Sequence, residues 1–276
     1  MITCRNATPQ ELSTVLNWAA DEGWNPGLED AEPFYAADAD RFFVAVDDAD
    51  VPVASISVVN HTPDFAFLGL YIVRPEYRGR GIGYRLWQHG LLHAGARTVG
   101  LDGVEAQQQN YQASGFVHFG GTTRFTGTVQ GRNNPDIRMA GHQDTAALIA
   151  LEAKASGVEK SAYLQSWFAG STARTTIVFQ GDNTLKGFCT VRACRSGAKI
   201  GPLIAENATV ARHLIEHAAT VFAGPLTLDV PGTAVGLTTL CQRLQFAAGF
   251  KTARMYRGAF DAVRHDVYAV PSLELG

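Results

Sequence analysis

The chain has 276 residues, of which 46% are hydrophobic and 18% charged. That length predicts two domains, each with its own core, and the composition excludes collagen-like or low-complexity disorder. A net charge of −3 leaves no surplus of cations to release counterions from phosphate, which speaks against a nucleic-acid partner. The charge is unevenly spread, with nine basic and fifteen acidic side chains in residues 1–135 and fourteen and eleven in residues 136–276. Either the two halves attract each other or the first half takes a cationic ligand. No apolar run approaches the ~18 to 20 residues that cross a bilayer, and the N-terminal segment lacks the layout of a signal peptide. A soluble, cytoplasmic protein without a membrane partner is expected. Cys4, Cys189, Cys194 and Cys241 are too sparse for a disulfide framework or zinc site and read as buried free thiols, so no metal is expected.

In chain order, residues 2–6 read as a short strand, and Thr8-Pro9-Gln10-Glu11 is a capping box with proline at the first helical position. The helix that follows runs to about Ala20. Residues 42–46 and 53–59 are apolar and rich in β-branched side chains, and the acidic turn 47–50 between them makes an antiparallel hairpin. A third strand, 66–73, leads into a glycine-rich turn and a helix over 82–93, whose Ile82, Leu86, Gly90, Leu91 and Ala94 share one face. A strand at 98–102, a short helix around 104–113 and closing strands after Phe116 complete the first half. The second half has the same order: strand, helix, a hairpin over 176–193, a strand at 198–204, a helix over 208–222, a strand at 226–230, a helix over 234–246 and a final strand.

Two landmarks make this a duplication. Arg5-x-Ala7-x-x-Gln10-Glu11 recurs as Arg138-x-Ala140-x-x-Gln143-Asp144, and Gly115-Phe116 recurs as Gly249-Phe250, both at nearly one spacing. Each Gly-Phe precedes a strand carrying an arginine, Arg124 or Arg254. The boundary falls in the polar turn 131–135, giving domains over 1–130 and 136–276.

The most informative stretch is LYIVRPEYRGRGIGYRLW, residues 70–87. A strand ends at Val73, and Arg78-Gly79-Arg80-Gly81-Ile82-Gly83 opens a helix. Alternate glycines let successive backbone N–H groups face one concavity, and the helix N-terminus adds partial positive charge, which suits a pyrophosphate. A dinucleotide fingerprint would need glycine where Tyr84 stands and a shorter connection from the strand, even though Asp102 ends the next strand. A Walker loop would need Gly-Lys-Ser/Thr.

Arg78-x-x-Gly81-x-Gly83, preceded by Val-Arg-Pro-Glu-Tyr, resembles the acetyl-CoA motif of the GNAT N-acetyltransferase superfamily. The element order and the later Tyr111-x-x-x-Gly115-Phe116 extend the resemblance over residues 1–128. EGWNPG, GLDGVEAQQQNY, IGPLIAEN, LDVP and RMYRG are similar to bacterial acetyltransferases built from two tandem GNAT domains. The resemblance implies an α/β (α+β) fold with two copies of a mixed, mostly antiparallel twisted sheet flanked by helices. It also implies acetyl-CoA as co-substrate and a small-molecule amine as acceptor, attacked directly in a ternary complex. Backbone groups of Tyr71, Ile72 and Val73 would pair with pantetheine, and amides from Arg78, Gly79, Arg80, Gly81, Ile82, Gly83 and Tyr84 would hold the pyrophosphate. A strand N–H would stabilise the oxyanion, and Tyr111 would give its proton to the departing thiolate. The plain alternative for Tyr111 is a half-buried aromatic. Val104 stands where many relatives carry asparagine, and Phe65 where some carry a carboxylate, with Asp64 on the opposite side of the strand. The general base is therefore unassigned.

Residues 21–40 hold seven acids and no Lys or Arg. As this segment lines the acceptor pocket in the resembling family, a cationic amine is expected, held by Trp24, Glu29, Glu32 and Tyr35. The bland reading is a solvated acidic loop. In the second copy the turn 204–209 has no glycine, and Glu206 would repel phosphate. That half is expected to brace the first or to close its acceptor cleft, with Arg192, Asp229, Arg254 and Tyr256 as candidate lining. A non-catalytic acyl-CoA sensor is the alternative function. The molecule is expected to be a monomer or homodimer.

Overall fold

The computed structural model describes residues 2–38, 40–182, 184–261, 263 and 265–276. Its first half runs β1 (Thr3–Asn6), α1 (Pro9–Asp21), α2 (Ala31–Ala37), β2 (Phe42–Val46), β3 (Pro52–Asn60), β4 (Phe65–Val73), α3 (Ile82–Ala94), β5 (Thr98–Val104), α4 (Gln108–Ala113) and β6 (Val117–Gly127). The second half repeats the order with β7 (Ile137–Met139), α5 (Thr145–Ser156), α6 (Ser161–Phe168), β8 (Arg174–Gly181), β9 (Thr184–Ala193), β10 (Ala198–Ala205), α7 (Ala208–Val221), β11 (Leu226–Pro231), α8 (Val235–Arg243) and β12 (Ala247–Arg257). It then adds a two-residue strand, β13 (Tyr268–Ala269).

The first recurring motif has a local structural cause. Arg5 donates to both carboxylate oxygens of Glu11 at 2.9 and 2.7 Å, and Glu11 accepts from the Thr8 amide while its own amide caps onto the Thr8 hydroxyl. Arg138 repeats the clamp on Asp144 at 2.7 and 2.9 Å, and Asp144 accepts from the Gly141 amide. In each half one arginine thus ties the entry strand to the start of the first helix.

The halves are not two sheets side by side. One continuous, mostly antiparallel sheet runs β1-β2-β3-β4-β5-β12-β6-β11-β10-β9-β8-β7. The closing strand of each half therefore completes the sheet of the other, with β12 between β5 and β6, and β6 between β12 and β11. The arginines noted in the closing strands hold this exchange. Arg254 on β12 stands opposite Asp102 on β5 and pairs with it at 2.6 Å, and Arg124 on β6 stands opposite Asp229 on β11 and pairs at 2.7 Å. Each arginine has its buried carboxylate in the other half of the chain. The cores merge as well: Phe34 of α2 packs on Tyr163 and Trp167 of α6, with ring centroids 5.9 and 6.2 Å apart.

A bulge in β4 shapes the functional end. Ser57 lies opposite Gly69 but Ser55 opposite Ile72, so β4 carries one extra residue, and Leu70 takes φ 48° there. The bulged carbonyl of Leu70 accepts from the buried Ser55 hydroxyl at 2.7 Å. Side-chain parity flips across the bulge. Ala66 and Leu68 before it, and Tyr71 and Val73 after it, pack in the core under α3, whereas Leu70 and Ile72 enter the core shared with the second half. The parallel β4·β5 ladder ends at Leu68 opposite Leu101, and the strands splay beyond it.

Candidate active site

The cleft opened by this splay is where the glycine loop sits. A cavity of about 450 Å³ runs along Tyr71, Ile72 and Val73 to Arg78, Gly79, Gly81, Ile82, Gly83 and Tyr84, with Trp24 and Gln107 on its other side. Gly79 and Gly81 take φ 75° and 73°, and a Cβ on either would meet nothing within 4 Å. Backbone conformation rather than space therefore requires glycine there. Gly83 is different: a Cβ would lie 2.6 Å from the Tyr71 hydroxyl and 2.9 Å from Val73, so its absence lets α3 start against β4. No side chain caps the N-terminus of α3, which leaves its first amides pointing into the cleft. Arg78 is turned back on the protein, donating from Nε to the Val73 carbonyl at 2.8 Å and pairing with Glu22. Arg80 is exposed over the Tyr77 ring and does not line this cavity.

At the root of the splay lies a smaller pocket of about 60 Å³, walled by Leu68, Gly69, Leu70 and Tyr71 of β4, Leu101, Asp102 and Val104 of β5, and Tyr111. Tyr111 also faces an adjoining cavity of about 520 Å³ between α3 and α4. Its ring stacks on Trp87 at 5.2 Å, and a Cβ on Gly103 would come within 2.8 Å of it. Burial, reinforced by the nearby Tyr71, pushes its hydroxyl well above the ordinary tyrosine value, so it is held protonated at neutral pH. Among the described residues its hydroxyl has no hydrogen-bond partner. A buried, protonated phenol thus lines the inner pocket.

The acidic segment has another role than the one expected of it. Trp24 does line both the cleft and the inner pocket, with its carbonyl held by Arg124 at 3.0 Å and Lys199 at 2.9 Å. Glu29 accepts from Thr172 and the Ala173 amide, Asp21 pairs with Arg195, and the fully buried Asp30 pairs with Arg192. Glu32 is exposed on α2, and Tyr35 stacks on Phe42. Glu29, Glu32 and Tyr35 therefore lie away from the cleft. Asp21 and Asp30 meet basic groups of the second half, in favour of mutual attraction between the halves, while Glu22 pairs with Arg78 and Asp38 with Arg41 inside the first. Arg192, Asp229 and Arg254 likewise sit in ion pairs between the halves, and Tyr256 packs with Phe65 and Phe260.

Among the described residues the second half has no equivalent opening at its splay. The Asn207 side chain caps α7, accepting from the Thr209 and Val210 amides at 3.0 Å each, and Glu206 pairs with Lys186. The parallel pairing of β10 with β11 extends only from Ala198 to Ile200, after which β13 pairs with β10 at Leu203 and Ile204. The Val270 amide donates to the Asp229 carbonyl at 3.1 Å on the β11 side. The splay is filled by the chain's own segment.

Two family models match the two halves in turn, an acetyltransferase (GNAT) family model over residues 10–120 and an acetyltransferase (GNAT) domain model over 148–269. The holothin acyltransferase of Pseudoalteromonas sp. (strain SANK 73390) is 35% identical over 99% of this chain and 94% of its own. The chain belongs to the GNAT acyltransferase family. Two solved structures share the fold over its whole length. A candidate acetyltransferase from Pyrococcus horikoshii superposes with TM-score 0.84 at 20% identity, covering 100% of this chain and 96% of that one. A tandem GNAT protein from the clavulanic acid biosynthesis pathway does so with TM-score 0.65 at 13% identity, covering 95% and 100%. The protein is thus a GNAT acyltransferase with two GNAT domains in tandem.

In this GNAT protein most of the groups that join the domains at the site are not marked by any sequence pattern. Lys199 and Arg124 hold Trp24, and Glu274 lines the inner pocket from the far end of the chain. Lys199 and Glu274 carry no motif. Only the matched arginines of the closing strands offered a signal, through their repetition.

Proposed function

We propose that this GNAT protein moves the acetyl group of acetyl-CoA to an amine of a small acceptor, by direct attack in a ternary complex formed in the first domain, in the cytoplasm. The observation that carries the reading is the uncapped N-terminus of α3 beside a stretch of β4 that is open on its β5 edge, with a protonated Tyr111 lining the pocket at the root of that opening. In this reading the amides of Gly79 to Tyr84 hold the pyrophosphate, and Tyr71, Ile72 and Val73 present backbone groups to the pantetheine arm as to an added strand. A β4 amide at the bulge receives the oxyanion. Tyr111 gives its proton to the sulfur as the carbon–sulfur bond breaks. The second domain, its own splay filled by β13, braces the first and fixes Trp24. Domain limits of 1–130 and 136–276 follow the recurring motifs, although the closing strands are exchanged across them.

The acceptor side also fits the family likeness. The relative that is 35% identical bears the name holothin acyltransferase, which supports a small-molecule acceptor for this chain too. Walls of Leu68, Leu70, Leu101, Val104, Phe250, Leu273 and Trp24 suit an acceptor with an apolar body. The test is thiol release from acetyl-CoA with a panel of small amines. Turnover by the wild type and a loss of at least about 100-fold in Tyr111→Phe, with acetyl-CoA affinity kept, is the expected result. Turnover in Tyr111→Phe at the wild-type rate removes the tyrosine from the reaction.

A further inference from the structure

The inner pocket holds a carboxylate that the chemistry above does not use. Glu274 is 3% exposed and lines the pocket together with Tyr111, Asp102 and Trp24. Asp102 is committed to Arg254 at 2.6 and 3.0 Å, but Oε2 of Glu274 is buried without a hydrogen-bond partner among the described residues. A buried, unpaired carboxylate oxygen is costly, and such groups are seldom left so without a role. The charges that face it are Arg124 on β6, Lys199 on β10 and Arg192 on β9. They balance its charge, yet none donates to it.

Its position is fixed from both sides. Ahead of it, Val270 is tied to the Asp229 carbonyl; behind it, His61 donates to the Leu275 carbonyl at 2.8 Å and Lys160 to the Gly276 backbone oxygen at 2.6 Å. The Glu274 backbone lies directly against the β4 bulge, because a Cβ on Gly69 would overlap its carbonyl oxygen. The segment that fills the second domain's splay thus continues into the first domain's pocket and delivers one carboxylate there.

We infer that Glu274 is the acceptor-side base of this site, receiving the nitrogen of an amine on an apolar body. The inference rests on the acetyl-transfer reading above. As the nitrogen attacks the thioester carbonyl, the C–N bond forms and sulfur leaves with the electrons of the C–S bond. The nitrogen's surplus proton passes to Glu274, and sulfur takes the proton of Tyr111. Transfer of one proton from Glu274 to the Tyr111 phenolate through solvent restores both groups.

The experiment compares wild type, Glu274→Gln and Glu274→Asp for acetyl-CoA affinity by calorimetry and for acetylation of benzylamine, tyramine and 2-phenylethylamine. Glu274→Gln is expected to bind acetyl-CoA within twofold of wild type and to lose about 100-fold in kcat, with Glu274→Asp recovering part of the loss. If Glu274→Gln does not fold, Glu274→Asp alone must show at least a tenfold loss in kcat. A purely structural carboxylate would lower the melting temperature and leave kcat per folded molecule within threefold, which overturns the inference. Wild type that binds acetyl-CoA but acetylates none of these amines overturns the inference and leaves the acyl-CoA site standing. Wild type that does not bind acetyl-CoA overturns both.

Discussion

Gly81 separates the conformational requirement of the cradle from any steric one. Its φ of 73° is in the left-handed region, and a Cβ there would meet nothing within 4 Å. Gly81→Ala therefore costs only the backbone strain of a left-handed residue, about 1–2 kcal/mol, or about 2–4 °C in melting temperature for a protein of this size. To escape that cost the alanine relaxes φ, which turns the first amides of α3 out of the cleft. Each bond to a charged phosphate lost in this way removes about 1.5–3 kcal/mol, so the Kd for acetyl-CoA should rise about 10- to 100-fold. Asparagine tolerates left-handed φ better, and Gly81→Asn should fall between alanine and glycine in both quantities. Calorimetric titration with acetyl-CoA, paired with thermal melts, reads both. Equal behaviour of the Ala and Asn variants, or a lowered melting temperature with unchanged Kd, would refute the argument.

Three further outcomes follow from the packing. Asp102→Ala leaves the half-buried Arg254 charged without its carboxylate, at a cost below that of breaking a fully buried pair, about 3–5 kcal/mol, whereas Asp102→Leu with Arg254→Met should lose less; urea unfolding of both tests the cross-strand pair. Gly69→Ala should push the Glu274 backbone off the bulge, slowing acetyl transfer while sparing acetyl-CoA affinity; unchanged turnover would mean that the segment does not need its seat on β4. Burial, with the charge of Lys160, holds His61 down at about 3, below the ordinary value of about 6.5 in the unfolded chain. The unfolded state then binds the extra proton first, so the stability from this histidine is full above about pH 6.5 and is lost as the pH falls toward 3. The slope is at most about 1.4 kcal/mol per pH unit. Between pH 7 and pH 5 the wild type should lose more stability than His61→Gln, and parallel losses would exclude His61 as the source.

What could be read from the chain was what is local. The capping box at Thr8, the glycine loop at 78–83 and the hairpin across 47–50 depend on residues a few positions apart, and all stand where the pattern places them. The repeat was equally legible, since Arg5 with Glu11 and Arg138 with Asp144 are short-range clamps. The strand exchange was not: a closing strand has the same alternation whichever sheet it completes, and its arginine finds Asp102 or Asp229 over 100 positions away. Three acids of 21–40 misled for the same reason, because Thr172, Arg192 and Arg195, the partners of Glu29, Asp30 and Asp21, lie in the other domain. Glu274 has no motif, and only the path of the segment from β13 brings it to Tyr111's pocket.

In the proposed function the first domain binds acyl-CoA and the second, its splay filled and α7 capped by Asn207, does not. The stoichiometry of acetyl-CoA binding tests it most directly, measured by calorimetry on the wild type and on Gly81→Ala. One site per chain, weakened by that single substitution in the first domain, is the predicted result. Two sites per chain, or one site indifferent to Gly81, would contradict it.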